Sequence, residues 1–462
     1  MYVVIAGESE VAFSIAELLM EQHKVILVGP TPHAAPRLDR LDVELVSGSC
    51  TDAGVLEAAH IQNARVFVAA TESDEQNLVA CIAARRAGAQ RTICLLSRPG
   101  FVRIAEEDDR LAESLGIDAI VRPSEQLARE ILRIVTVPGA LDLEHLVGGR
   151  VRLLRHAVEP DARLLEAPLR GLELPENVVL VMGRRGDETF IPTGETRFLP
   201  GDKVTAVGTP RGVHELRWRF LRGKHHGADV QRATIVGGGV VGFAVAKGLE
   251  EAGWTIKLIE ASQARCESIA PQLEGVVLHG DGTDMDLLEE ERIGDEPVMV
   301  AVTSNDEKNL LVSVLARHLG VKRIITRADR LANERIFEKV GIDVVRSARG
   351  AAIRTVVRKV VGARADLHAE LEHGDMEIIE ITLPDGYPDT PVRDLACSLF
   401  AIIATVLRGR QVIVPNGRTV LHGGDHLLVF TSKADEDAAR VHFLRAPSRA
   451  SAGLPPDDAT EG

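Results

Sequence analysis

Residues 233–242 read ATIVGGGVVG, and this stretch decides how the rest of the chain is interpreted. An apolar, β-prone run ends at Gly237, the pattern G-x-G-x-x-G follows, and an apolar helical pattern begins after Gly242. Strand, glycine turn and helix in this order form the phosphate-binding start of a dinucleotide-binding fold. Gly237 permits the tight turn, Gly239 lets the backbone approach a pyrophosphate, and Gly242 allows close packing. We therefore predict that phosphates bind the free N–H groups at the start of this helix.

The next predicted strand carries an acid at its end. TIKLI at residues 255–259 is followed by Glu260, roughly 20 residues after the glycine turn, where such folds hydrogen-bond a ribose. An acid there favours the unphosphorylated ribose of NAD(H) over NADP(H). The turn and the acid together predict a nucleotide site, and the alternative is a turn that keeps the fold but has lost its ligand.

The beginning of the chain repeats this pattern in altered form. VVIAGESEVAFSIA at residues 3–16 retains Gly7, while Ser9 and Ala12 stand where the second and third glycines belong. Serine places a side chain where the pyrophosphate would approach, and two flanking glutamates add negative charge. The strand at residues 24–28 ends on glycine, so the ribose acid is missing as well. We predict that the first copy keeps the fold and has lost the usual ligand.

The duplication continues beyond the glycine turns. HGDGTD at 279–284 matches SGSCTD at 47–52, and VTSNDEKNL at 302–310 matches ATESDEQNL at 70–78. Strand and helix patterns alternate through both copies, which predicts two α/β domains, each with a doubly wound parallel sheet. Asp306, within the second of these motifs, is expected either to cap the following helix or to contact a ligand.

A smaller module follows each copy. Short apolar strands separated by Gly-Asp turns predict a compact α+β domain with one solvated sheet face. The fold class is thus a tandem of Rossmann-like α/β domains, each followed by a small α+β domain. The tail after residue 447 is small, polar and proline-rich, so we expect it to be disordered. The predicted boundaries are 1–136, 140–222, 230–362, 368–447 and the tail 448–462.

Tandem glycine-turn units with a T-x-x-D-E-x-N segment, each followed by a small "R-R-G-D … I-P … P-G-D" type of module, resemble a known family. They are similar to the peripheral NAD-binding subunits of Trk potassium-uptake systems, which contain two RCK domains, and the resemblance covers residues 1–447. It implies a cytoplasmic protein that binds NAD(H), with ATP or ADP as alternatives. It also implies a homo-oligomeric ring, a dimer to tetramer of this chain, that docks on the inner face of an integral-membrane potassium transporter and gates it.

The resemblance also assigns cofactor-binding residues. In the second copy the glycine turn would face the phosphates and Glu260 the ribose. Asp281 and Thr303-Ser304 would face the adenosine side or the ring, and Arg327 the phosphate or a neighbouring protomer. Family members often keep the glycines and the acid in both copies, and this chain departs from that pattern in its first. The predicted set is Gly237, Gly238, Gly239, Val240, Val241, Gly242, Glu260, Asp281, Thr303, Ser304 and Arg327, with Thr71 and Arg98 as the candidates in the first copy.

Composition excludes several other classes of protein. A net charge of −14 disfavours a nucleic-acid partner and unaided attachment to anionic lipid. No stretch approaches the ~20 consecutive apolar residues that span a bilayer, so we expect no membrane insertion. The N-terminus enters a strand directly, without the charged segment of a secretion signal. Five scattered cysteines without a C-x-x-C pattern predict reduced thiols and no metal site.

An NAD-dependent oxidoreductase is the main alternative, because a glycine turn with an acid also marks dehydrogenases. A dehydrogenase needs a positioned acid or base beside the nicotinamide. The small modules offer Tyr387, His368 and His373 without an obvious pairing. We therefore expect no catalytic residues and no enzyme activity.

Overall fold

The computed structural model describes residues 1–20, 23–29, 41, 43–98, 115–137, 140–146, 150–186, 188–221, 231–361, 376–395, 401–409 and 411–444. The predicted tail at 448–462 lies outside these residues, as do His368 and His373. The chain divides into two compact units, one formed by residues 1–136 with 230–362 and the other by 137–229 with 363–462. Each unit therefore joins a segment of the first copy to its counterpart in the second.

The N-terminal Rossmann domain alternates strands and helices. Its described strands are β1 (Tyr2–Ala6), β2 (Lys24–Val28), β3 (Glu44–Val46), β4 (Val66–Ala69), β5 (Thr92–Leu95) and β6 (Ala119–Val121). Its described helices are α1 (Glu10–Met20), α2 (Ala53–Ala58), α3 (Asp74–Arg86) and α4 (Pro123–Val135). The strands pair in parallel in the order β3-β2-β1-β4-β5-β6. Val3, Val4 and Ile5 are all buried, because apolar clusters cover both faces of the sheet.

The first small domain is built on an antiparallel sheet. Its described elements are β7 (Ala140–Leu146), β8 (Val151–Ala157), β9 (Val178–Arg185), β10 (Glu188–Phe190), β11 (Lys203–Gly208) and α5 (Pro210–Leu216). The strand order is β10-β9-β11-β8-β7. Leu154, Val204 and Ala206 pack with α5 on one face of this sheet.

The C-terminal Rossmann domain has the same topology as the first. Its described strands are β12 (Arg232–Val236), β13 (Thr255–Glu260), β14 (Val276–His279), β15 (Val298–Ala301), β16 (Arg323–Arg327) and β17 (Val344–Arg346). Its described helices are α6 (Val240–Glu251), α7 (Gln263–Ile269), α8 (Met285–Glu290), α9 (Asp306–Leu319), α10 (Leu331–Lys339) and α11 (Ala348–Val361). The parallel order is β14-β13-β12-β15-β16-β17. The strand order reverses between β12 and β15, where open α/β sheets bind ligands.

The second small domain repeats the architecture of the first. Its described elements are β18 (Met376–Thr382), β19 (Thr390–Pro391), β20 (Ala401–Arg408), β21 (Gln411–Ile413), β22 (Val420–Leu421), β23 (His426–Ser432) and α12 (Glu436–Leu444). The order β18-β23-β20-β21 is antiparallel, and β19 pairs with β22. The predicted fold class, two Rossmann-like domains each followed by a small α+β domain, is confirmed.

The prediction of a solvated sheet face in each small domain is wrong. Val151, Leu153 and Val181 of the first small domain share one apolar cluster with Leu428 and Phe430 of the second. The two sheets cover each other's apolar faces, because each strand carries apolar side chains on both sides. Alternation is therefore absent where two sheets pack together.

The Gly-Asp turns of the small domains are held by buried carboxylates. Asp202 accepts two hydrogen bonds from Arg185, at 2.9 and 2.7 Å, and Asp425 accepts two from Arg408, at 2.8 and 2.7 Å. Each aspartate also accepts from a backbone N–H three residues earlier, that of Leu199 or His422. These recurring arginines and aspartates thus fix the turns of the sheets.

The two Rossmann domains exchange their last helices. On α11, Ala352, Val356 and Val360 lie in the core of the N-terminal domain, together with Ile15 and Leu19 of α1. Reciprocally, α4 packs against α6 of the C-terminal domain. A Cβ at Gly248 on α6 would lie 2.5 Å from Leu132 of α4, so the two helices touch closely.

An arginine from the opposite domain binds the end of each exchanged helix. Arg91, before β5, donates to the carbonyl of Lys359 at 2.8 Å. Arg323, the first residue of β16, donates to the carbonyl of Ile134 at 2.7 Å. A cation at a helix C-terminus satisfies the unpaired carbonyls and complements the helix dipole. The same kind of arginine–carbonyl contact therefore holds the C-terminal end of each exchanged helix.

Candidate functional site

A cavity of about 490 Å³ lies at the carboxyl ends of β12, β13, β14 and β15. This is the edge of the sheet at which its strand order reverses. The cavity is lined by Ser124, Val236, Gly237, Gly239, Val240, Val241, Ile259, Glu260, Ala261, Gly280, Asp281, Gly282, Val302, Thr303, Ser304, Asn305, Lys308, Val312 and Arg327. Every predicted second-copy residue except Gly238 and Gly242 is among these lining residues.

The glycines of the turn have different surroundings. Gly237 adopts φ +106°, a backbone conformation that favours glycine. A Cβ at Gly242 would lie 1.8 Å from the carbonyl oxygen of Gly237, so this glycine lets α6 start directly against the turn. A Cβ at Gly239 would meet nothing within 4 Å. Gly239 therefore leaves open space at the start of α6, as a closely approaching phosphate requires.

Glu260 lies over the glycine turn. Its carboxylate accepts hydrogen bonds from the backbone N–H groups of Gly238, at 2.6 Å, and Ser262, at 2.8 Å. A Cβ at Gly238 would lie 3.1 Å from this carboxylate, which explains why a glycine stands there although it does not line the cavity. Arg265, which no sequence motif indicates, donates to the carbonyl of Gly238 at 2.7 Å. The turn is thus held by a glutamate from β13 and an arginine from α7.

Asp281 and Lys308 form an ion pair at the cavity, with 2.8 Å between Lys308 Nζ and Asp281 Oδ2. The Lys308 ammonium lowers the pKa of the Asp281 carboxyl from its usual 3.8 to about 2, and hydrogen bonds from Thr283 act in the same direction. Both side chains are about half exposed, at 49% for Lys308 and 46% for Asp281. Lys308 was missed because the aligned residue of the first copy is Gln76.

Replacing Lys308 with methionine should raise the pKa of Asp281 from about 2 toward 3.8. Because the folded pKa is depressed, the pair stabilises the fold above about pH 4, and this contribution is lost as the pH falls toward 2. An NMR titration of the Asp281 carboxyl measures the shift directly. Lys247→Met removes an exposed lysine elsewhere in the domain and should leave that pKa unchanged. An unchanged pKa in Lys308→Met would contradict the assignment.

The T-x-x-D-E-x-N segment is a set of internal clamps. The Asn309 amide accepts from the backbone N–H of Thr303 at 2.9 Å and donates to the carbonyls of Thr303 and Arg327 at 3.0 and 3.1 Å. Asn77 makes the same three kinds of contact in the first copy. Asparagine thereby joins the end of one strand to the end of the next. The asparagine of this motif therefore has the same structural role in both copies.

The expectation that Asp306 caps α9 is wrong. Asn305 is the cap, and its side chain accepts from the Lys308 N–H at 2.7 Å. Asp306 instead accepts from the backbone N–H groups of Asp329 and Arg330, at 2.9 and 3.2 Å. The Asp306 side chain, at the first helical position, therefore points toward the neighbouring loop. That loop holds Asp329, which binds Arg327 through two hydrogen bonds.

In the N-terminal domain, a protein side chain uses hydrogen-bonding groups at the start of α1. The Ser9 hydroxyl accepts from the Ala12 N–H at 3.1 Å and donates to the Ala70 carbonyl at 2.6 Å. It thus takes an N–H that a phosphate would use at the start of α1. Thr71 is engaged by Asn77, and Arg98 forms an exposed pair with Glu75 at 2.7 Å.

Four segments of the chain match two family models. The TrkA-N domain model matches residues 3–123 and 233–348, and the TrkA-C domain model matches residues 153–220 and 377–444. Among the described residues, no helix has the length and apolar character that crossing a bilayer requires.

Two solved structures share the fold. The GsuK RCK domain aligns over 96% of this chain and 94% of its own, with a TM-score of 0.56 and 20% identity. The GsuK channel bound to NAD aligns over 95% of this chain and 78% of its own, with a TM-score of 0.58 and 19% identity.

Relatives cover nearly the whole sequence. The Trk system potassium uptake protein TrkA homolog 2 of Methanosarcina mazei is 34% identical over 441 residues, 93% of this chain and 97% of that protein. The Trk system potassium uptake protein TrkA of Haemophilus influenzae is 29% identical over 97% of this chain and 99% of its own. The resemblance inferred from the motifs is thereby confirmed, and the chain belongs to the TrkA family of Trk-system potassium uptake proteins.

Proposed function

We propose that this chain is a nucleotide-sensing regulatory subunit that docks on an integral-membrane potassium transporter and gates it. The observation that carries the sensing role is the cavity at the glycine turn, with open space at Gly239 and the Glu260 carboxylate beside it. The relatives, which are Trk potassium uptake proteins, support the transport role.

The described residues of the cavity fit NAD(H). The start of α6 has no side-chain cap among the described residues, so its backbone N–H groups are available to a pyrophosphate. Glu260 accepts from two backbone N–H groups here, and it would exchange the Gly238 contact for a ribose hydroxyl. A protein of the same fold, the GsuK channel, has been solved with NAD bound. ATP or ADP would use the same phosphate and ribose contacts.

Regulation requires that the nucleotide bind one arrangement of the protein more tightly than another, because equal affinity for both shifts nothing. The glycine turn, Glu260 and Arg265 link the start of α6 to β13 and α7. Ligand contacts at the turn would therefore bear on several elements at once. A homo-oligomeric ring at the inner face of the membrane would carry this bias to the transporter.

Binding is tested by calorimetry on the full chain with NADH, NADPH and ATP in separate titrations. We expect one site per chain for NADH, with NADPH at least about ten-fold weaker because its 2′-phosphate would meet the Glu260 carboxylate. Glu260→Ala should weaken NADH about ten-fold or more. Glu267→Ala removes a nearby exposed glutamate of α7 and should bind NADH like the wild type. Two NADH sites per chain would contradict the prediction that the first copy has lost its ligand.

Gating is tested in vesicles that contain the Trk-type membrane subunit of the same organism. Potassium flux should depend on this chain and should change when NADH or ATP is added. Flux that is indifferent to the chain would overturn the docking role. The oxidoreductase alternative predicts NADH turnover with candidate substrates. Among the described lining residues, Glu260 accepts from two backbone N–H groups, and Lys308 is paired with Asp281.

A further inference from the structure

We propose that the bound nucleotide joins the two Rossmann domains by lying between the starts of α6 and α4, with Ser124 as a positioning residue contributed by the N-terminal domain. In this role the nucleotide is the removable counterpart of a permanent ion pair, Glu10 with Arg349, at the equivalent place in the first copy. The inference rests on the proposed function and adds a cross-domain contact to it.

The starts of α4 and α6 lie side by side. Ser124, the second residue of α4, lines the same cavity as Val240, the first residue of α6. Eight residues further along both helices, Leu132 of α4 contacts Gly248 of α6. Ser124 and Leu132 on α4 are as far apart as Val240 and Gly248 on α6. The two helices therefore run parallel and in register. Their N-termini therefore face the one cavity together, and both ends attract negative charge.

The N-terminal domain shows the equivalent junction already closed. There α1 lies beside α11, and Arg349 near the start of α11 donates to the Glu10 carboxylate near the start of α1 at 2.6 Å. The Ser9 hydroxyl completes this end of α1. Protein side chains thus bridge the two helix starts without a ligand.

The C-terminal domain lacks the residues for such a pair. Ser124 is the second residue of α4 and Arg349 the second residue of α11, and the preceding strands β6 and β17 pair in equivalent register, so Ser124 stands where Arg349 stands. Glu10 corresponds to Val240, which is 44% exposed. Val240 and Ser124 cannot form an ion pair, and a cavity lies between the two helix starts that carry them.

The junction therefore depends on what fills the cavity. A phosphate chain at the start of α6 is within the same cavity as Ser124, whose hydroxyl and backbone N–H donate hydrogen bonds. Charge at that point would be shared by two helix N-termini from different domains. The contact between the two Rossmann domains would then change with nucleotide binding at the α4–α6 junction. The α1–α11 junction, held by Glu10 and Arg349, would stay the same.

The test uses the full chain and NADH as the probe. Ser124→Asp keeps a residue that favours the first turn of a helix, but places a carboxylate at the phosphates. We expect its NADH affinity to fall about ten-fold or more, and that of Ser124→Ala about three-fold. Gln126→Ala, on the same helix but outside the described lining of the cavity, should bind NADH like the wild type.

Hydrogen–deuterium exchange separates this inference from the proposed function. NADH should slow exchange of the backbone amides at 124–127 in the wild type. NADH should not change the exchange rate at the start of α11. Glu10→Gln, which removes the pair with Arg349, should raise that rate whether or not NADH is present. Protection confined to the glycine turn and Glu260, with wild-type NADH affinity in Ser124→Asp, would overturn the inference and leave the nucleotide site intact. Absence of NADH binding to the wild type would instead overturn the proposed ligand.

Discussion

Replacing Gly239 with aspartate is expected to abolish NADH binding while the protein stays folded. The residue adopts φ −67° and ψ −171°, which any amino acid tolerates, and a Cβ there meets open space. The new carboxylate would cap α6 and occupy the phosphate position. Like charges in contact cost several kcal/mol, so the affinity should fall about 100-fold or more. Calorimetry measures the loss, and circular dichroism and thermal unfolding verify the fold.

A milder variant reproduces what the first copy already contains. Gly239→Ser should place a hydroxyl that accepts from the Gly242 N–H, as Ser9 accepts from Ala12 at 3.1 Å. We expect an intermediate loss of affinity and a melting temperature at or slightly above that of the wild type. If Gly239→Asp still bound NADH with wild-type affinity, the nucleotide site would lie elsewhere in the chain.

Replacing Gly242 with alanine is expected to have the largest effect on stability. The added Cβ would lie 1.8 Å from the Gly237 carbonyl oxygen and 3.3 Å from Val302, and the first of these is a backbone atom that cannot rotate away. Relieving the contact requires the turn or α6 to shift. The cost should be about 3 kcal/mol or more in the free energy of unfolding. Thermal and urea unfolding measure it, and NADH binding should be lost with the geometry of the turn.

The first copy offers a matched control for this variant. Ala12 occupies the equivalent position in α1 and is fully buried. Ala12→Gly should cost about 1 kcal/mol, the ordinary penalty for glycine in a helix. A cost for Gly242→Ala no larger than for Ala12→Gly would mean that the turn adapts to a side chain, contrary to the close contact described above.

The Rossmann topology could be predicted because its determinants are local. A strand, a glycine turn, a helix and an acid at fixed spacing place Gly239 and Glu260 at one edge of the sheet whatever surrounds them. That the first copy has lost its ligand stays a prediction, and it is made from Ser9. The structure adds a physical reason, since the Ser9 hydroxyl takes an N–H that a phosphate would bind.

Other features of the site depend on contacts between distant segments. Ser124 belongs to the other Rossmann domain, and only the exchange of helices brings it to the cavity. Asn309 belongs to a motif in which the sequence predicts ligand contacts at Thr303 and Ser304, although the Asn309 amide joins two strand ends. A single sequence does not distinguish a buried polar residue that binds backbone groups from one that binds a ligand. The face-to-face packing of the small sheets was missed for a similar reason, because it needs both copies.

The exchange of helices affects the order in which the domains can fold during synthesis. Val356 and Val360 of α11 complete the core around α1, yet they are made after the first small domain and almost all of the C-terminal Rossmann domain. On the ribosome, the apolar side of α1 stays uncovered until that helix emerges. Domains usually fold one after another as they leave the ribosome, and exposed apolar surface in the interval promotes aggregation. The N-terminal domain is therefore synthesised first, but it can complete its core only after α11 has been made.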